Sequence, residues 1–148
     1  MKKKFLKILF LIFPMFCFSQ EIEPITLSET DSKKATEVVK IWIDELFKAE
    51  SVDKLFQISD LPFVLDGVKI LNTEEELRKM YESIFSNKGK RKIPKYEIVF
   101  LEHKTEIIDK YLPLNIIKTA VLVGEDRESI IIGIAIKGEK YKVVGFKD

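Results

Sequence analysis

The 148-residue chain has one cysteine, Cys17, and one histidine, His103. A single thiol excludes an intrachain disulfide. One histidine without further cysteines gives no set of ligands for a structural or catalytic zinc ion. Six glycines and five prolines are too few for a collagenous or low-complexity chain. The sequence contains no GxGxxG, GxxxxGK[ST], GxSxG or HExxH, so nucleotide binding, acyl transfer by a nucleophile elbow and zinc proteolysis have no basis in it, and no cofactor is expected. Long apolar runs are missing too: the uncharged stretch from Ile8 to Phe18 is short of the roughly 20 residues that a membrane-spanning helix needs.

Lys2, Lys3, Lys4 and Lys7 precede that stretch, the basic-then-apolar order of a secretory signal peptide. Cys17 and Ser19 stand at −3 and −1 of a cut after Ser19. Residues 1–19 are therefore expected to be removed, leaving Gln20 as the N-terminus of an exported protein, periplasmic or secreted. Acylation of Cys17 as a lipoprotein is the weaker alternative, because Phe16 is bulky where that processing takes a small residue. Loss of four lysines turns 25 basic residues into 21 against 24 acidic ones, a net charge of −3. Such a domain has no field to hold nucleic acid and little for an anionic membrane, so neither is expected as a partner after signal removal. Its stability must come from packing.

Residues 20–34 mix Pro24 with Thr, Ser, Asp and Glu and read as a flexible leader. Val39, Trp42, Ile43, Leu46 and Phe47 then recur at helical spacing, which predicts a helix from about Lys34 to Ala49. Ser51 can cap a second, shorter helix carrying Val52, Leu55 and Phe56, which ends before Pro62. Between Phe63 and Leu71, two apolar runs flank Asp66-Gly67, a pair suited to the positive φ of a tight hairpin turn. Thr73 and Glu76 have capping-box spacing, and Leu77, Met80, Tyr81, Ile84 and Phe85 form one face that should be buried. The Lys88–Lys92 cluster reads as a solvated loop. From there the period becomes two, giving strands at Tyr96–Leu101, Ile116–Val123, Ile130–Ile136 and Tyr141–Phe146. The half-apolar linker from Lys104 to Asn115 is expected to fold over the sheet edge. Segregated helices followed by consecutive strands predict an α+β fold, three N-terminal helices packed on one face of a curved antiparallel sheet.

With this element order, the PFVLDG hairpin and the TEEEL helix start, residues 35–148 resemble the NTF2-like superfamily, the cone fold shared by nuclear transport factor 2, ketosteroid isomerase, scytalone dehydratase and SnoaL-type proteins. A cystatin-like sheet around a helix is the structural alternative. The resemblance implies an apolar pocket between helices and sheet, lined here by Trp42, Leu46, Phe63, Tyr81, Phe85, Tyr96 and Phe100. The polar tips of Trp42, Tyr81 and Tyr96 would orient a small apolar or amphipathic ligand. The plainer reading of the same aromatic stripe is core packing.

Catalytic branches of that superfamily imply pocket aspartates with raised pKa values. Here Ile130–Ile136 and Tyr141–Phe146 hold no Asp or Glu. The expectation is a non-enzymatic domain that binds a small ligand or forms a homodimer through its sheet. The alternative is a small isomerase, dehydratase or hydrolase with Asp44, Asp60 or Asp66 as base and Tyr81 or Tyr96 as hydrogen-bond donor. His103, on the Glu97, Val99 and Leu101 side of its strand, reads as a surface residue, and alternation does not settle which way Lys118 points.

Overall fold

A computed structural model describes residues 27–101 and 116–148. The signal segment with Cys17, His103 and the 104–115 linker lie outside the described residues. Helix α1 runs Glu29–Lys48 and so begins five residues before the expected start, taking residues 29–34 out of the leader. Periodicity could not find this start, because nothing apolar occurs between Ser28 and Ala35. Local chemistry sets it instead: Ser28 accepts a hydrogen bond from Asp31 N–H at 3.0 Å, and Glu29 and Asp31 face the positive end of the helix dipole. Tyr141 donates to the Asp31 carboxylate and Lys34 lies 5.4 Å from the Tyr141 ring centre, so the polar first turns are held against the last strand.

α1 ends at Ala49 in the left-handed region, φ 49°. Glu45, only 4% exposed, accepts from Ser51 N–H at 2.8 Å and faces Lys54 Nζ at 3.3 Å. One buried carboxylate thereby joins the end of α1 to the start of α2, Val52–Gln57, which Ser51 caps as expected. Strand β1, Ser59–Leu65, turns through Asp66 (φ 52°) and Gly67 (φ 71°) into β2, Lys69–Leu71. Two successive positive φ angles are what the Asp-Gly pair is suited to. Helix α3, Glu74–Lys88, carries the full capping box of Thr73 and Glu76.

The remaining strands are β3 (Tyr96–Leu101), β4 (Ile116–Val123), β5 (Glu128–Lys137) and β6 (Lys140–Lys147), in a six-stranded sheet ordered β2-β1-β6-β5-β4-β3. The expectation of an antiparallel sheet needs one correction. β1 runs parallel to β6, with Val64 opposite Gly145 and Leu65 opposite Phe146, so the sheet is mixed. Hairpin spacing specifies only neighbours in sequence, and β1 and β6 come from opposite ends of the domain. Register shifts between Gly133 and Ile134 and between Ser59 and Val64 mark bulges, which bend a sheet.

All three helices share one core with the sheet. Val39, Trp42 and Ile43 of α1, Leu55 of α2, and Leu77 and Tyr81 of α3 pack with Ile117, Val121, Ile132, Ile134, Val143 and Phe146. Each fully buried aliphatic side chain contributes about 1.5–3 kcal/mol. α3 is covered less completely than its apolar stripe predicts: Leu77 and Tyr81 are buried, whereas Met80, Ile84 and Phe85 stay partly exposed. No helix among the described residues is long and apolar enough to cross a membrane.

Candidate functional site

The interior expected to be hollow is occupied by rings. Trp42, Phe63 and Tyr81 are wholly buried. The Trp42 and Phe146 rings lie 5.1 Å apart, and Phe63 meets both Tyr81 and Phe146 edge-on at 6.1 Å. Trp42 Nε1–H donates to Tyr81 Oη at 2.9 Å, Tyr81 Oη and Ser59 Oγ are 2.7 Å apart, and Ser59 Oγ donates to the Leu55 carbonyl at 2.7 Å. Ser59 has a single proton and gives it to Leu55, so Tyr81 must be the donor to Ser59. The direction of the whole chain is thus fixed, and it ends on a backbone carbonyl with no donor left to orient a ligand.

Burial, opposed by the hydrogen bonds to Ser59 and Trp42, pushes the Tyr81 phenol up to about 12. A folded pKa above the unfolded value near 10 means that this group's contribution is complete below pH 10 and is lost as pH climbs toward 12. Chemical denaturation followed from pH 9 to 12 should therefore show a fall that Tyr81→Phe lessens, on the order of 2–3 kcal/mol. Parallel losses in both proteins would remove Tyr81 as the cause.

Leu46 is also buried, whereas Phe85, Tyr96 and Phe100 are half-buried. Tyr96 Oη donates to Asp44 Oδ1 at 3.1 Å, and burial together with that carboxylate pushes the phenol up to about 12. The candidate bases do not resemble a pocket acid. Partial burial pushes the Asp60 carboxyl up, but Lys137 Nζ at 2.5 Å and the Leu61 N–H outweigh it and hold the group below its ordinary value. Asp66 is exposed in the hairpin turn, and Asp44 is half-buried with Tyr96 as its donor. Lys118 is 5% exposed, opposite Leu101 and Gly133 on the face away from the helices, and is partnered. Among the described residues no cluster of three or more His, Cys, Asp or Glu could hold a metal ion.

An open groove of about 500 Å³ lies elsewhere among the described residues, between α3, the β1–β2 hairpin and the end of β6. None of the seven expected lining residues takes part in it. Its floor is Leu65, Leu71, Met80, Ile84 and Phe146; its rim carries Asp66, Lys69, Glu76, Lys79, Lys88 and Asp148. From Glu76 to Lys88 the groove follows α3 for about 18 Å, at 1.5 Å per residue. The sequence shows only that Met80 and Ile84 belong to an apolar helix face five residues strong, and that face was expected to be buried. β2 has only three residues, and so it leaves that part of the helix unroofed.

No family model matches the chain, and no curated protein matches it significantly. Among solved structures, a protein of unknown function with a cystatin-like fold from Nostoc punctiforme is similar at TM-score 0.54 and 14% identity, over 83% of this chain and 92% of that one. A domain of unknown function with a cystatin-like fold from the same organism aligns at TM-score 0.46 and 12% identity, over 82% of this chain and 77% of that one. A five-substitution variant designated Rd1NTF2 aligns at TM-score 0.46 and 14% identity, over 78% of this chain and 96% of that one. The first likeness, with the helix-wrapped sheet described above, shows a cystatin-like α+β fold.

Proposed function

We propose that the chain is an exported, non-enzymatic binding module, and that its small amphipathic ligand lies in the α3–hairpin groove and not in the cone. One observation carries this reading: the groove offers about 500 Å³ over an apolar floor, whereas the interior aromatics are packed and their polar atoms paired. A few hundred cubic ångströms, mostly apolar with polar groups at the edge, is the usual size and character of a small-molecule site. Enzymatic action has less support, because Lys137 and the Leu61 N–H hold the candidate base Asp60 below its ordinary pKa. Pairing of two copies through the sheet also has less support, since among the described residues the exposed large apolar side chains include only Val99 from the strands β3 to β6. Export rests on the Lys2–Lys7 cluster followed by the Ile8–Phe18 run.

The test is expression of the full chain in a bacterium that exports it, then native mass spectrometry and calorimetric titration with monomeric dodecyl maltoside. The purified protein should begin at Gln20 and bind the amphiphile. Ile84→Trp, which fills the groove from a half-exposed position, should weaken binding at least tenfold with little change in melting temperature. Equal binding by wild type and Ile84→Trp would place the ligand elsewhere, and a mass that retains residues 1–19 would end the export assignment.

A further inference from the structure

The rim of this groove is electrically uneven in a way that names a ligand class, an inference that rests on the groove being the binding site. Six charged residues border it, three of each sign, and four are already engaged. The Glu76 carboxylate accepts from Asn72 N–H at 2.8 Å and Thr73 N–H at 3.1 Å; these backbone donors hold it below its ordinary pKa, and it is committed to capping α3. Lys79 Nζ is 2.5 Å from Glu75, one turn back on the same helix. Lys88 Nζ is 3.6 Å from Asp148. Two groups are left. The Asp66 carboxylate and the Lys69 ammonium make no side-chain hydrogen bond or ion pair among the described residues. Lys69 feels Glu76 only through space. Both belong to the same hairpin, Asp66 as the first residue of its turn (φ 52°) and Lys69 as the first residue of β2, opposite Leu65.

We propose that the groove takes a single-chain zwitterionic amphiphile, with its cationic group at Asp66, its anionic group at Lys69 and its unbranched tail along Met80 and Ile84. The shape supports one tail. About 500 Å³ spread over about 18 Å gives a mean cross-section on the order of 30 Å², suited to a single extended chain. The floor gives the tail apolar area to bury, at about 25 cal/mol per Å². Asp66 and Lys69 are both exposed, so a purely anionic head would be attracted by Lys69 but repelled by the neighbouring Asp66, and a purely cationic head the reverse. A zwitterion satisfies both.

Three monomeric probes with the same tail test this: dodecylphosphocholine, dodecanoate and dodecyltrimethylammonium, titrated at low and moderate salt. Wild type should bind dodecylphosphocholine tightest, by about tenfold over either singly charged probe. Asp66→Asn, which keeps a residue that tolerates positive φ, should shift the preference to dodecanoate, and Lys69→Gln should shift it to dodecyltrimethylammonium. Lys140→Gln, away from the groove, should change neither. If all three probes bind alike in wild type and variants, the head assignment falls while the groove stands. If no dodecyl probe binds, dodecyl maltoside included, the groove reading falls with it. Binding to phosphatidylcholine vesicles without binding of monomeric dodecylphosphocholine would overturn the single-chain assignment in favour of a bilayer.

Discussion

Trp42→Ala should cost about 3–5 kcal/mol, the range for removing a large aromatic from a packed core. A domain of this size has a total stability of about 5–15 kcal/mol, so between about a fifth and all of it would be lost. Trp42 is wholly buried, its ring lies 5.1 Å from Phe146, and its indole N–H starts the chain that runs through Tyr81 and Ser59 to Leu55. Truncation therefore removes packing and also takes a donor from the Tyr81 oxygen. Trp42→Phe separates the two losses: most ring contacts remain and the hydrogen bond goes, for about 1–3 kcal/mol. Urea unfolding read by far-ultraviolet circular dichroism provides the check, with a lowered midpoint at unchanged slope as the expected signature. A loss below about 1 kcal/mol for Trp42→Ala would mean that the interior is not closed as described, and the cone would again be the candidate binding site.

That result bears on what a sequence can and cannot disclose here. The Thr73–Glu76 capping box, the Ser51 cap, the Asp66-Gly67 turn and the period-two strands are local signals, each legible because its chemistry involves residues a few positions apart. The start of α1 escapes periodicity because residues 29–34 are all polar, and its Ser28 cap is a local signal of another kind. The parallel β1–β6 pairing was hidden because its two strands come from opposite ends of the domain. The aromatic residues at 42, 63 and 81 converge, but sequence spacing cannot say whether converging rings leave a space or fill it. Whether Met80 and Ile84 are roofed depends on β2 having only three residues, a length that the alternation of a short hairpin does not set.

Gly145→Ala tests the pairing that positions the groove. A methyl group at Gly145 would lie 2.5 Å from the Val64 carbonyl oxygen and 3.2 Å from both Val64 Cβ and Val64 N, on the parallel neighbour strand. The nearest atom is backbone, so no rotamer change relieves the contact; β1 has to move away from β6. The expected loss is about 2–3 kcal/mol, toward the upper end for overpacked sites. Val64→Ala in the same chain should not rescue it, because it leaves the carbonyl oxygen in place, so a double-mutant cycle should give a coupling near zero. A strongly favourable coupling would mean that the Val64 side chain is the obstacle. β1 carries Leu65 and leads into Asp66, Lys69 and Leu71, while β6 supplies Phe146, so a displaced β1 also opens the seam between the groove's walls. Gly145→Ala should therefore weaken dodecyl binding several-fold at temperatures where the domain is still folded. Val64→Ala alone should leave binding nearly unchanged, since Val64 takes no part in the lining.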